Sequence, residues 1–502
     1  MNEIANLARI VTLRRSTRRP LLNLDGSQPG KEEKLMQVLA DNSDVTTTQL
    51  TKLLYGANTV SNRAALRQLR GRVQDKLLNH LFFLDHSDSR LLVSRRYELE
   101  CLDLLHKVTI LFLEGEYQLC ERLLRRCLQT SREGDFTTYA ELAAQRLRAL
   151  YADRSERLKY QSIDKELHEL RRVLALEQEA EQIVLDIRLA MLHTVASRRE
   201  ALPTIPMHLA RLEQLHEQAG TYSTFNALYR LRIIYAELIG DYVDIIRLTE
   251  QARQQIAVGR LNMRRFDERF NHFMSIYAHL RGRQPAAGLK LAETFIQDIH
   301  PTSGNWFYFY EHYVLLALHA GDYEKALRLL QTAHKNPSYQ KQRPAALARW
   351  ELLEAYTELV QPADRLPVHR RSQLAVFAAL TVPEYTRDKR GYNVAILIFQ
   401  FLHYLRQRVL EAVLTRLERL RKYQQRHLRD AAALRSRTFL RLLLLLPDAN
   451  FNAAELEKRG AVLLTQLRQA PPVGEAEAEI EIIPYEDLWS FTLSTLRRGA
   501  PE

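Results

Sequence analysis

Three tripeptides, Gly115-Glu116-Tyr117, Gly240-Asp241-Tyr242 and Gly321-Asp322-Tyr323, each separate two stretches of helical periodicity, and they constrain this chain more than any other feature. A helix, a turn of that size and a second helix make a hairpin. Hairpins repeated in series stack, because each buries its apolar face on its neighbours. The clearest unit runs from Trp306 to Tyr339. Turn centres placed at this pitch fall at Gly115, Asp153, Ser197, Gly240, Gly282, Gly321, Gln361 and Gln407, spaced 38 to 46 residues apart. A chain of 502 residues is too long for one compact core, which also favours an elongated array.

Helix formers dominate, with only 17 Gly and 16 Pro, so the expected class is all-α. The longest apolar stretch, Val394 to Leu405, is about twelve residues, short of the roughly twenty a membrane span needs. No membrane partner is expected. The N-terminus lacks the apolar core and cleavage site of a signal peptide, which makes the cytoplasm the expected location. Cys101, Cys120 and Cys127 show no metal-binding spacing. Cys120 and Cys127 share a helix face with Leu123 and Leu124 and read as buried, reduced thiols.

The formal charge of +12 is unevenly spread. Residues 1–80 carry 13 Lys/Arg against 7 Asp/Glu, residues 341–446 carry 20 against 9, and residues 470–502 carry 2 against 7. Two segments are therefore basic and one is acidic. Residues 1–30 read as a flexible basic arm, broken by Pro20, Gly26, Pro29 and Gly30. Residues 31–84 read as three helices: about Lys31 to Leu39, a second capped by Thr46 or Thr47 and ending at Gly56, and a third from Ser61 to Leu84. Leu66, Leu69, Val73, Leu77 and Leu81 form the apolar stripe of the third. The helical repeats occupy 85–469, with Ala454 to Leu467 as a closing helix. Pro471-Pro472 then sets off an acidic tail, 470–502. Within it, Glu475 to Ile483 alternates like a strand and Tyr485 to Leu496 could form a short helix. Deletion of this tail is expected to leave the array folded.

The unit Trp306 to Pro337 resembles a tetratricopeptide repeat. Ala326, Leu330 and Ala333 follow the Gly-Asp-Tyr turn where that family places a small, a large and a small residue. The small residues let the second helix nest against the first, and the large one fills the groove between them. Cys120, Leu124 and Cys127 repeat the spacing, whereas Ile245, Thr249 and Arg253 fit poorly, and Val314 replaces the family's small residue in the first helix. The pitch of about 40 exceeds the family's, which is about 34. The resemblance implies a superhelical solenoid of antiparallel helix pairs with a concave peptide-binding face, and it carries no catalytic residues.

Two constellations suggest binding. Trp306, Phe307, Tyr308, Phe309, Tyr310 and Tyr313 crowd one helix, more aromatics than one core stripe needs, so Tyr308, Tyr310 and His312 are candidates for partner contact. Between His403 and Arg441 eleven Lys/Arg, including Arg416, Arg419, Arg426 and Arg429, face three acidic residues, and such a face suits an acidic peptide or phosphates. Residues 31–84 weakly resemble a helix-turn-helix unit with Arg63, Arg67, Arg70 and Arg72 on its recognition helix, although no β-wing follows, since Leu81 to Leu84 is too short. A capping unit that begins the stack is the other reading of that segment. His312 and His319 lie seven apart on one helix without an acidic partner cluster, and there is no HExxH, P-loop, GxGxxG or GxSxG motif. The expectation is therefore a non-enzymatic scaffold that binds a protein or peptide with acidic residues, using no cofactor and no metal. The alternative is a DNA-associated regulator whose solenoid acts as a sensor.

Overall fold

The computed structural model describes residues 30–41, 45–81, 93–191, 195–361, 390–428, 433–471 and 481–498. The basic arm before Gly30, the 82–84 end of the third helix, Arg429 and the 475–480 part of the strand-like stretch lie outside them. Every regular element among the described residues is helical, and neighbouring helices pack in series.

The Gly-Asp-Tyr turns work by dividing the labour of ending and starting a helix. Gly115, Gly240 and Gly321 sit at φ of +75°, +80° and +75°, a region where a Cβ is penalised. The next residue's N–H then donates back five residues, as in Asp241 to Ala236 O at 2.8 Å and Asp322 to Ala317 O at 2.9 Å. The aspartates also cap the following helix, accepting from Asp244 N and Lys325 N. The same geometry recurs without glycine. Asp135, Ser155, Arg283 and Arg408 all have φ between +56° and +61°, and each is followed by the same five-residue back-bond. The turn expected at Gly282 thus has Arg283 as its left-handed residue.

The first unit comprises α1 (Lys31–Asp41), α2 (Thr47–Tyr55) and α3 (Val60–His80). Thr46 begins α2 with a reciprocal capping box to Gln49, and Gly56 ends it. Thr59 caps α3, which begins one residue before the expected Ser61. Leu35, Leu50, Leu54, Leu66, Leu69 and Val73 form a small core of their own. The stripe on α3 is buried only over its first half. Leu77 and Leu81 are exposed and line an open apolar groove of about 300 Å³ with Leu35 and Leu39.

The series continues with α4 (Val93–Leu113), α5 (Tyr117–Glu133), α6 (Thr137–Asp153) and α7 (Arg157–Met191). Cys101, Cys120 and Cys127 are buried in the core of this group, with Cys120 directed at Val108 O and Cys127 beside Cys101 across Ser131. Helix α7 runs for 35 residues. The hairpin turn expected at Ser197 does not exist there, because Ser197 lies within α8 (Val195–Ala201). Next come α9 (Ile205–Ala219), α10 (Tyr222–Ile239) and α11 (Tyr242–Ala257). Helix α7 packs on α6, α8, α9 and α10, so one long helix does the work of a hairpin.

A second departure from simple neighbour packing occurs here. The loop between α11 and α12 (Glu268–Arg281) reaches back some 130 positions to the turn between α5 and α6. Arg264 pairs with Glu133 at 2.7 Å, Asn262 donates to Glu133 O at 2.9 Å, and Arg265 donates to Asp135 O at 2.5 Å between the rings of Phe136 and Tyr222. Beside this junction Glu177, in the middle of α7, is buried and accepts from Thr137 Oγ1 at 2.9 Å. Burial raises its pKa above the usual carboxylate range, outweighing its hydrogen bonds. A raised carboxyl pKa favours folding while the group is protonated, and this advantage fades as pH rises through the unfolded and then the folded value. Glu177→Gln keeps the acceptor and removes the charge. Its melting temperature is therefore expected to exceed the wild type's at pH 8 and to match it at pH 4. A lower melting temperature at pH 8 would show that Glu177 is held charged by Arg265.

The remaining helices are α13 (Pro285–Phe295), α14 (Gly304–His319), α15 (Tyr323–Lys335), α16 (Pro344–Val360), α17 (Arg390–Gln407), α18 (Leu410–His427), α19 (Leu434–Leu444), α20 (Ala453–Gln469) and α21 (Tyr485–Arg497). Helix α14 touches α12 and α16 as well as its sequence neighbours, so first helices of successive pairs lie side by side. Ala326, Leu330 and Ala333 are all fully buried, as their spacing predicts.

The end of the chain differs from expectation. Residues 481–483 do not form a strand, and α21 folds back on α17, α19 and α20. Ile482, Ile483, Tyr485, Leu488 and Trp489 belong to the largest core cluster, and Tyr485 stacks on Phe439 at 4.6 Å. Acidity had marked the tail as peripheral, but two of its carboxylates, Glu481 and Glu486, are paired inside. Buried Arg435 on α19 holds both Glu481 and Glu486 through paired hydrogen bonds, at 2.7–2.9 Å for Glu486, and also reaches Leu467 O.

Candidate binding surfaces

The first helices α10, α12 and α14 carry a series of aromatic side chains, all but the buried Tyr229 partly open. Phe225 on α10 stacks on Tyr229 at 5.5 Å, and Tyr229 meets Phe270 of α12 edge-on at 6.5 Å. Phe273 then touches Tyr308 of α14 at 6.2 Å and His312 at 5.0 Å, and Tyr277 lies 5.8 Å from His312. Phe273, Tyr277 and His312 are half-buried, and Tyr308 is 57% exposed. Two guanidinium groups lie over this run: Arg230 over Phe270 at 4.3 Å and Arg349 of α16 over Tyr308 at 5.8 Å. Arg349 is fixed by a forked bond to Glu311, at 3.0–3.2 Å. His312 Nδ1 bonds Tyr308 O at 2.9 Å, and burial lowers its pKa, so the imidazole is neutral at neutral pH.

Of the aromatic candidates on α14, Tyr308 and His312 lie on this open run. Tyr310 does not. It is 5% exposed and stacks on Trp306 at 4.1 Å, because it sits two positions from Tyr308 and so points to the opposite side of the helix. Phe273 and Tyr277 escaped the sequence reading. They belong to a neighbouring helix, and only packing brings them beside Tyr308.

Arg416, Arg419 and Arg426 lie on α18, which packs against α17 and α19, not on the helices of the aromatic run. Arg419 and Arg426 are exposed, whereas Arg416 is half-buried with its guanidinium 5.3 Å from the Tyr404 ring. The basic face and the aromatic run are therefore separate surfaces: α18 is the second helix of its pair, α14 the first of its own. His319 faces elsewhere again, bonding Glu481 O at 2.8 Å. Among the described residues no group of three metal-ligating side chains converges, and no helix is long and apolar enough to cross a membrane.

On α3, Arg63, Arg67 and Arg70 are exposed, on the flank beside the small core, where Arg70 lines the apolar groove with Leu35, Leu39 and Val73. Arg72 differs: its Nε bonds Glu32 of α1 at 3.3 Å, where Lys76 also pairs, and these bonds hold the Glu32 carboxyl below its usual range. Asn62 is likewise occupied, donating to Ala57 O at 2.8 Å. Comparison with known proteins returned no family model, no curated protein and no solved structure that matches the chain.

Proposed function

We propose that the chain is a tetratricopeptide-like α-solenoid that binds a protein or peptide on the face formed by α10, α12, α14 and α16. The observation that carries this reading is a pair of aromatic clusters, Phe225, Tyr229 and Phe270, then Phe273, Tyr277, Tyr308 and His312, each held by ring contacts and bordered by Arg230 and Arg349 respectively. Rigid, half-exposed Tyr and Phe side chains give large contact area at small entropic cost, and they are enriched where interfaces concentrate their binding energy. Side-by-side packing of first helices supports the solenoid reading, since it lines one face with one helix from each pair. The partner in this reading inserts an apolar or aromatic anchor between Phe273, Tyr308 and His312. Arg349 is already paired, so acidic residues in the partner are secondary to that anchor.

Selection of a displayed peptide library on the full-length protein tests the proposal. Peptides enriched on the wild type should bind at least tenfold more weakly to Tyr308→Ala and Phe273→Ala proteins whose circular dichroism is unchanged, as expected when an aromatic hot spot is truncated. Equal affinity for both variants would sink the reading. Loss of binding only in an Arg419→Glu, Arg426→Glu variant would move the site to α18.

A further inference from the structure

We infer that the N-terminal three-helix unit is a duplex-DNA contact, with α3 entering the major groove. Helices α2 and α3 are joined by four residues, Gly56 to Thr59, in which Gly56 takes a φ of +81° and Thr59 caps α3. A short glycine-containing turn between a supporting helix and a longer one is the geometry of helix-turn-helix units. The unit has its own core, in which α1 and α2 both pack on α3.

The opposite face of α3 suits a groove. Ala64 and Gly71 lie near its centre, both exposed, and a Cβ built at Gly71 meets nothing within 4 Å. Small residues there let the helix backbone approach base edges closely. Arg63, Arg67 and Arg70 follow at helical spacing along one flank, all exposed. Helix α3 carries five Lys/Arg against one Asp, and Arg72 and Lys76 are turned inward to Glu32, which brings α1 and α3 together. Arg63, Arg67 and Arg70 stand in solvent instead, where an outside contact can reach them. Arginine forks fit phosphate oxygens and the acceptor edge of guanine, and the N-terminal turns of a recognition helix are where such contacts are made. The basic stretch of α18 also follows a short turn after α17, but it has no small-residue centre, since none of its exposed positions is Gly or Ala.

The test uses the full-length chain and fluorescence anisotropy of a labelled, mixed-sequence 30-base-pair duplex, read from 50 to 200 mM salt. The wild type should bind, and its affinity should fall steeply with salt. Each lost phosphate contact lowers the slope of log affinity against log salt by about 0.9. The variant Arg63→Glu, Arg67→Glu, Arg70→Glu should bind at least tenfold more weakly at 100 mM salt, with a slope smaller by about 2 to 3. Because the changed side chains are exposed, the far-ultraviolet spectrum should not change. Arg63→Lys, Arg67→Lys, Arg70→Lys should retain most of the salt slope, since it keeps the charges. No binding at 50 mM salt would overturn the inference. So would an unchanged slope in the triple Glu variant, which would assign binding to the arm preceding Gly30. Preference for double-stranded RNA over DNA would also overturn it, because a helix cannot read the deep, narrow major groove of A-form RNA.

Discussion

Arg435→Ala should destabilise the protein by about 3–5 kcal/mol, the usual cost of leaving buried charge without its partner. Arg435 is 4% exposed and binds both Glu481 and Glu486, so its loss strands two carboxylates against the core. Burial opposes the charge on Arg435, but the two carboxylates outweigh it and raise its pKa, so it stays protonated throughout. Glu486 resolves the same way: burial is the strongest single influence and pushes its pKa up, but the bond and charge of Arg435, with its own backbone bond and Arg283, together pull it down further. A depressed carboxyl pKa contributes stability that is complete above the unfolded value and lost as pH falls through the folded one. The gap between wild type and Arg435→Ala in urea midpoint should therefore be full at pH 7 and narrow in acid below the usual glutamate range. Changing Arg435 to Met together with Glu481 and Glu486 to Gln removes charge without stranding any, and should recover much of the loss. Truncation after Ala470 is more severe. It strips Ile482, Ile483, Tyr485, Leu488 and Trp489 from the core, at roughly 1.5–3 kcal/mol each, a total on the order of 10 kcal/mol that rivals the stability of a whole domain. A truncated chain that unfolded at the wild-type urea midpoint would show that α21 is an ornament.

What could be read from the sequence follows from how local each signal is. Gly115, Gly240 and Gly321 announce their turns because glycine is the residue that adopts a left-handed conformation freely. Ser155, Arg283 and Arg408 make the same turn at a cost of about 1–2 kcal/mol each, offset by packing, and nothing in their identity reveals it; Asp135 does so as one of the few non-glycine types that enter this region more readily. A fixed pitch predicts a turn at Ser197, but just before it α7 takes a whole hairpin length into one helix with no Gly or Pro between Arg157 and Met191. Contacts between distant segments left no local trace. The clasp of Arg264 and Arg265 on the α5–α6 turn spans about 130 residues. The tail was judged by its net charge, but a carboxylate facing a buried arginine behaves as core. On the open face, Tyr308 and His312 were recognisable because they are surplus aromatics on an already apolar helix, whereas Tyr310 was misassigned by one helix face and Phe273 needed the neighbouring helix to acquire meaning.

Ala326→Trp should destabilise the array by about 1–3 kcal/mol or more, and it tests the nesting of helices on which the repeat reading depends. Ala326 has no exposed surface and lies on α15 in the same core cluster as Val314 and Ala317 of α14, also fully buried. Small side chains at that crossing set the distance between the helices, and an indole there must push them apart or leave its rotamer wells. The neighbouring pair is equally tight: a Cβ at Gly288 of α13 would lie 2.7 Å from both His279 and Leu316 side-chain atoms. Displacing α15 therefore strains α14, and through it the alignment of Tyr308 and His312 with Phe273 and Tyr277 on α12. Thermal unfolding should show the loss, and affinity for any peptide selected on the aromatic run should fall with it. Gln331→Trp, on the exposed side of the same helix, should change stability by no more than about 0.5 kcal/mol and leave binding intact. Equal melting temperatures for the two variants would mean that the interior of the hairpin tolerates an indole, and that close packing of α15 on α14 does not hold the binding face in place.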